Sequence, residues 1–179
     1  MLHRGLQKVL WGLVGVSLLV GCGKRPEFDV DQEFLPYVEQ FFTDIESMGH
    51  SVPLKTFSIH FGTVGSSLLG TCIRSDDGSH AEIYINSDRW PGNSTEEEKS
   101  IIEAADEAEA TGEGLSDYQQ AQKDQIELDR AFIIYHEAGH CGMQLGHLDG
   151  TIMNRFFISP RDRDHLLELT QAALEGTSE

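Results

Sequence analysis

Residues 135–147 read YHEAGHCGMQLGH, a segment that contains three of the eight histidines of a 179-residue chain. On an α-helix, residues four apart lie on one face, so His136 and His140 can direct imidazole nitrogens at the same ion. Glu137 completes the pattern H-E-x-x-H, in which the two histidines bind zinc and the glutamate acts as a general base. The segment therefore predicts a helix that carries a catalytic metal site.

A catalytic zinc site needs a third protein ligand and one open position. His147 lies seven residues after His140, which is about 10 Å along an unbroken helix and too far to share an ion. The helix must therefore end between them, and Gly142 and Gly146 are residues at which a chain can leave a helix. We expect His147 to be the third ligand, and Asp149 is the alternative.

The flanking segments predict helices at both ends of the chain and strands between them. Apolar residues recur at three- and four-residue spacing over 34–48, which indicates an amphipathic helix that ends at Gly49. Alternation over 57–61 indicates a strand, and an Asp-Gly turn at 76–79 joins residues 68–74 and 81–86 in a hairpin. A last helix follows Ser159-Pro160. The order of these elements indicates a small α+β domain.

Residues 91–123 differ in character from the rest of the chain. They contain the run Glu96-Glu97-Glu98 and an acidic, alanine-rich stretch with few apolar residues. Such a composition is typical of a mobile acidic insertion, and a functional lid over the site is the alternative. Ser94 and Glu97 have the spacing of a capping box that starts a helix. A second helix is expected to begin near Asp124 and to continue into the histidine segment.

The N-terminal segment has the features of an export signal. Arg4 and Lys8 precede an apolar run over 9–20, which has the length of a secretory signal and is shorter than the roughly 20 residues of a membrane-spanning helix. Residues 19–22, LVGC, resemble the lipobox of bacterial lipoproteins, in which the cysteine becomes the lipidated N-terminus. The resemblance implies a signal peptide over 1–21, palmitate or a similar acyl chain on Cys22, and a polar tether over 22–30. The remaining domain, 31–179, would then lie in the cell envelope, anchored to a membrane by lipid.

Charge and cysteine content limit the partners and the covalent structure. The net charge of −17 argues against a nucleic-acid partner, because phosphates would be repelled. With Cys22 lipidated, Cys72 and Cys141 are the two remaining cysteines in an oxidising compartment. A disulfide between them is one expectation, and the sequence equally allows two free thiols.

The histidine segment and the residues after it resemble the metzincin clan of zinc metallopeptidases. The matching residues are His136, Glu137, His140, His147 and Met153, which lies in the segment GTIMN where the clan has its Met-turn. The third histidine comes one residue later than in the usual clan spacing. Small bacterial lipoproteins of metallopeptidase type are similar in overall organisation. The resemblance implies a short mixed or antiparallel sheet packed on the N-terminal helix and the H-E-x-x-H helix, with a C-terminal helix after the Met-turn.

The resemblance also implies an activity. One Zn²⁺ would be held by His136, His140 and His147, with Glu137 as the base and Met153 as a hydrophobic floor, in an endopeptidase that cleaves peptide or protein substrates. The strand at 81–86 would be the edge along which an extended peptide binds. Two alternatives remain open: a non-catalytic zinc-binding module, and a zinc amidase or peptidase that acts on cell-wall peptides.

Overall fold

The computed structural model describes residues 25–176, which form four helices and one four-stranded sheet. The signal peptide, Cys22 and the first residues of the predicted tether lie outside the described residues. No helix within the described range is long and apolar enough to cross a membrane. The elements in chain order are β1 (Glu27–Val30), α1 (Leu35–Ser47), β2 (Thr56–Gly62), β3 (Gly70–Arg74), β4 (His80–Asn86), α2 (Glu96–Thr111), α3 (Asp117–Met143) and α4 (Arg163–Gly176). The α+β class predicted from the sequence is confirmed.

The sheet is mixed, with the strand order β1-β2-β4-β3. Strand β2 pairs in parallel with β1 and with β4, and β3 pairs antiparallel with β4. The predicted hairpin is therefore confirmed, with Gly78 at a φ of +67° in its turn. The expectation that residues 81–86 form an edge is wrong, because β4 is paired on both sides and β3 takes the outer position.

One strand was not predicted. Residues 27–30, assigned from the sequence to the tether, form β1 and pair with residues 56–59 of β2. Four residues are too short to show a clear alternating pattern. Their pairing depends on a partner strand that lies more than twenty residues further along the chain.

The core lies between the sheet and helices α1, α3 and α4. Helix α1 begins with a proline in its first turn and buries the face that its periodicity predicts. Its apolar residues pack against inward-facing residues of the central strands. The fully buried aromatic and aliphatic residues of this core include Phe34, Phe41, Phe42, Phe57, Ile59, Ile83, Ile85, Trp90, Phe132 and Ile134.

A buried polar cluster joins three helices beside the histidine segment. Asp44 of α1 is only 7% exposed and accepts hydrogen bonds from the Tyr135 hydroxyl of α3 and from the Arg163 guanidinium of α4. Arg163 also donates from Nη1 to the Tyr135 oxygen at 3.0 Å. Because a buried carboxylate must be paired, this cluster holds α1, α3 and α4 in register next to His136.

The acidic insertion is largely helical. Helix α2 is capped by Thr95, whose hydroxyl accepts from the Glu98 backbone at 3.1 Å, and not by the predicted Ser94–Glu97 pair. Ile101 and Ala105 are buried, and α2 packs on α3. The segment therefore contains a regular helix that packs on α3, whereas its mobility and a role as a lid stay predictions. A few apolar residues suffice here, because the long neighbour α3 provides the surface they cover.

Two further helix boundaries differ from expectation. Helix α3 begins at Asp117, capped by Ser116 in a capping box with Gln119, and not near Asp124. The last helix begins at Arg163 rather than after Pro160, and the Asp162 carboxylate accepts from the His165 backbone at 2.8 Å. The capping residues, Ser116 and Asp162, have short polar side chains, and they can cap a helix only where the backbone conformation directs them at its first N–H groups.

Candidate metal centre

Helix α3 carries His136, Glu137 and His140 on one continuous helix that ends at Met143. Gly142 lies inside the helix, so the prediction that a glycine ends it is wrong. The chain turns at Gln144, which adopts a left-handed conformation with a φ of +58°. The Leu145 backbone then donates to the Gly139 carbonyl at 3.1 Å, which turns the chain back toward the helix. This turn brings His147 to the two helical histidines.

The three histidines converge through their Nε2 atoms. The Nε2 atoms of His136 and His140 are 3.2 Å apart, and those of His140 and His147 are 3.3 Å apart. Two nitrogens that each lie about 2.0–2.1 Å from a tetrahedral zinc are about 3.3–3.4 Å apart. The spacing of the donors therefore fits a zinc ion.

No other group of three metal-binding side chains occurs within residues 25–176, and the histidine group does not include Asp149. The structure therefore brings His147, and not Asp149, into one group with the two helical histidines. An all-imidazole donor set suits zinc and other first-row transition metals and disfavours magnesium or calcium.

Backbone carbonyls orient two of the rings. The Nδ1 atom of His136 lies 2.8 Å from the Ile152 oxygen, and that of His140 lies 2.7 Å from the Leu145 oxygen. A carbonyl oxygen only accepts, so each Nδ1 carries the proton and each Nε2 presents its lone pair. Such contacts fix the tautomer of a metal-binding histidine.

The pKa values of His136 and His140 favour the neutral imidazole, which is the form that can bind a metal. Burial lowers the pKa of His136 to about 4. Burial also lowers the pKa of His140, against a smaller opposing effect of its hydrogen bond to Leu145. Metal binding requires the unprotonated ring. The protein therefore does not have to remove a proton from His136 to bind an ion at neutral pH.

Glu137 lies beside the three histidines and is 7% exposed. Burial raises the pKa of its carboxyl group to about 7, and a cation at the histidines would oppose that effect, because an opposite charge favours the carboxylate. No described residue forms a hydrogen bond with the carboxylate, which borders the cleft. A glutamate in this position is able to take up and release a proton.

Strand β3 approaches Glu137 closely at Gly70. A Cβ atom at Gly70 would lie 2.8 Å from Cδ and 2.9 Å from Cγ and Oε1 of Glu137. Any larger residue would have to displace the glutamate. Gly70 therefore defines the space that the Glu137 carboxylate occupies.

Met153 packs beneath α3 at the level of the histidines. It is fully buried, and a Cβ atom at Gly139 would lie 2.5 Å from its sulfur. The preceding turn is closed by Thr151, whose hydroxyl donates to the Leu148 carbonyl at 2.8 Å and accepts from the Met153 backbone at 3.0 Å. Gly139, the small residue between the two helical histidines, and Met153 below it thus fit together.

A disulfide joins Cys72 of β3 to Cys141 of α3. Arg74 donates from Nη1 to the Cys141 carbonyl at 2.9 Å, which adds a second tie between strand and helix. Of the two states that the sequence left open, the structure has the bonded one. The edge strand is thereby held against the helix one residue beyond His140.

The histidines and Glu137 line a cleft of about 680 Å³. One wall consists of residues 67–72, which include the start of β3, and another of residues 154–157 after Met153. Phe132 and Ile133 of α3 and Arg89 complete the lining. The cleft therefore runs between the start of β3 and residues 154–157, with the three histidines and Glu137 in its lining.

The sequence did not predict several of the residues that line this cleft. Gly70, Arg89, Arg155 and Phe157 have no spacing relation to the histidines, and only tertiary packing brings them into the lining. Phe132 lies four residues before His136 on α3, so the helical spacing could have indicated it. Cys22, the predicted lipidation site, lies outside the described residues.

Comparisons of this chain with protein-family models, with curated proteins and with solved structures found no match.

Proposed function

We propose that this protein is a zinc-dependent endopeptidase of metzincin-like type. His136, His140 and His147 would hold one Zn²⁺, and Glu137 would be the general base. The observation that carries the proposal is the convergence of three Nε2 atoms, 3.2 and 3.3 Å apart, beside an unpaired, buried glutamate in an open cleft. Met153 would be the methionine of the Met-turn.

The chemistry divides between the ion and Glu137. When bound, Zn²⁺ would supply Lewis acidity that polarises the scissile carbonyl and makes a water molecule more acidic. Glu137 takes the proton as the water oxygen bonds to the carbonyl carbon, and it then delivers that proton to the leaving amine as the C–N bond breaks. A carboxyl group whose pKa lies near 7 in the ion's absence suits this exchange.

Strand β3 is the best candidate for a substrate edge. It is the outermost strand on the side of α3, and Gly70 places it directly against Glu137. An extended peptide that pairs with the free side of β3 would have its backbone held by main-chain hydrogen bonds. This assignment replaces residues 81–86, which the sequence suggested and which lie inside the sheet.

The lipobox-like LVGC sequence supports a location in the cell envelope. A lipid anchor on Cys22 would leave a tether of a few residues before β1 begins at Glu27. The domain would then act close to the membrane surface. We propose substrates that are peptides or proteins of the envelope.

Cleavage of an unbiased peptide library tests the proposal. Zinc-loaded full-length protein should cut peptides, and Glu137→Gln should lose cleavage by a factor of at least about 10² while it retains zinc. Glu103→Gln, which changes an exposed glutamate on α2, is the matched control and should retain both. Loss of zinc from Glu137→Gln, or unchanged cleavage by it, would contradict the assigned role.

A non-catalytic zinc site is the main competing function. Structural zinc sites are usually closed by four protein ligands, whereas the group within residues 25–176 contains three. The unpaired Glu137 carboxylate also has no function in a structural site. Hydrolysis of cell-wall peptides would use the same ion and base, so a stem-peptide substrate belongs in the same library assay.

A further inference from the structure

The cleft has the opposite charge character from the molecule as a whole. The chain has a net charge of −17, and yet Arg89 and Arg155 line the cleft. Apart from the base Glu137, none of the described residues that line it is acidic. A ligand in the cleft therefore meets two guanidinium groups on a protein whose other surfaces are mostly acidic.

Neither arginine has a structural role in the described part of the chain. Arg25, Arg130 and Arg163 pair with glutamate or aspartate, and Arg74 donates to two backbone carbonyls. By contrast, Arg89 and Arg155 are exposed and form no hydrogen bond or ion pair with any residue in 25–176. Their N–H donors are free to bind a ligand.

The two arginines reach the cleft from separate elements. Arg89 ends a short 3-10 helix that follows β4, and Arg155 lies two residues beyond Met153. In the lining of the same cleft, Phe132 and Phe157 pack edge to face with ring centroids 5.0 Å apart. A partly apolar wall lowers the local dielectric, which strengthens a charge-assisted hydrogen bond formed beside it.

We propose that the cleft selects ligands that carry a carboxylate, which Arg89 and Arg155 bind. The proposal rests on the proposed peptidase function and names its substrate class: anionic peptides. The carboxylate could belong to an aspartate or glutamate side chain or to a free C-terminus, since the guanidinium fork recognises both in the same way. The acidic surface would repel such peptides at long range, so the preference arises from short-range contacts.

Peptide binding tests this inference without requiring cleavage. Zinc-loaded, full-length Glu137→Gln protein would be titrated with three fluorescent peptides of one sequence. The first carries an internal glutamate and an amidated C-terminus, the second replaces that glutamate with glutamine, and the third has glutamine and a free C-terminus. We expect one of the two carboxylate peptides to bind about fivefold more tightly than the neutral peptide.

The same titration in arginine variants identifies the binding groups. Arg89→Gln and Arg155→Gln, each added to Glu137→Gln, should bring the ratio of affinities for the carboxylate and neutral peptides close to one. Zinc content and circular dichroism should stay unchanged. Arg161→Gln is the matched control, because Arg161 is exposed and does not line the cleft. It should leave the preference intact.

The outcomes separate this inference from the proposed function. Equal binding of all three peptides, no binding of any of them, or a preference that survives both arginine changes would overturn it. If wild-type protein cleaves peptides but shows no carboxylate preference, only the inference fails. If an arginine-dependent preference exists but wild-type protein cleaves nothing, the peptidase proposal fails and the carboxylate site remains.

Discussion

Glu137 has space for its carboxylate because the residue that faces it, Gly70, has no side chain. The two residues are 67 positions apart in sequence, and only the packing of β3 on α3 brings them together. A methyl group at Gly70 would overlap Cδ and Oε1 of Glu137. The glutamate would have to move, and the histidines would not.

We therefore expect Gly70→Ala to reduce peptide cleavage by about 10² while zinc binding is retained, because a displacement of about 1 Å can have an effect of that size on a reacting group. Zinc stoichiometry and kcat/KM measured on the same preparation test this. Gly65→Ala is the matched control, since a Cβ atom there would lie no closer than 3.6 Å to Leu68. Wild-type cleavage by Gly70→Ala would show that Glu137 tolerates the shift.

Asp31 connects the loop after β1 to strand β2. Its carboxylate accepts from the His60 ring at 3.0 Å and from the Phe61 backbone at 3.1 Å. The hydrogen bond from His60 is the main cause that lowers the pKa of Asp31, and the Phe61 N–H contributes in the same direction. A lowered carboxyl pKa means that folding favours the ionised form.

This contribution to stability is present above the unfolded-state pKa of Asp31, about 3.9, and is lost as the pH falls through the lower folded-state value. Urea unfolding measured from about pH 6 to about pH 2.5 should therefore show a smaller loss of stability in Asp31→Asn than in wild type. His60→Ala removes the main hydrogen-bond donor to Asp31, and it should likewise reduce the loss of stability as the pH falls. If both variants keep the wild-type slope, other carboxylates cause the acid sensitivity.

Strand β3 and helix α3 are the two elements whose relative position decides the cleft. The Cys72–Cys141 disulfide connects residues 69 positions apart, and closing a loop of that length restricts the unfolded chain by about 4 kcal/mol of free energy. Strand β3 pairs with β4 on one side only, and Ile73 is 53% exposed, so the disulfide and the Arg74–Cys141 hydrogen bond are its direct links to α3. The disulfide therefore stabilises the fold and keeps the proposed substrate edge beside the histidines.

Replacing both cysteines, Cys72→Ala with Cys141→Ala, should lower the free energy of unfolding by about 2–4 kcal/mol. Urea unfolding with and without reductant measures the change. Reductant should destabilise the wild type by a similar amount and leave the double variant unaffected. Equal stability of oxidised and reduced wild type would contradict the role given to this bond.

At the scale of the whole molecule, charge opposes compaction. The net charge is −17, and Lys99 is the one basic residue of the acidic helix α2. When a chain with this excess of acidic residues folds, its like charges come closer together, and their repulsion destabilises the folded state. Salt screens these repulsions over about 8–10 Å at physiological strength.

We expect about 0.5 M NaCl to raise the melting temperature by about 2–4 °C, which corresponds to about 1 kcal/mol for a domain of this size. KCl at the same concentration should have the same effect, since screening does not depend on the cation. A melting temperature that falls or stays constant as salt is added would indicate that ion pairs, such as Arg163–Asp44, outweigh the repulsion.

The sequence by itself determined the features that depend on neighbours along the chain. The periodicity of residues 34–48 predicted α1, the Asp-Gly turn predicted the β3–β4 hairpin, and the four-residue spacing of His136 and His140 placed both on one helical face. Local backbone geometry decides each of these, so a short window contains the information.

Only the tertiary structure decided the features that depend on distant partners. The pairing of β1 with β2 makes residues 27–30 a strand, and the position of β4 inside the sheet transfers the proposed substrate edge to β3. The left-handed turn occurs at Gln144 rather than at a glycine, because contacts of the returning chain with α3 outweigh local preference there. Tertiary packing also places Gly70 against Glu137 and brings the two arginines into the cleft. No local sequence pattern relates these residues.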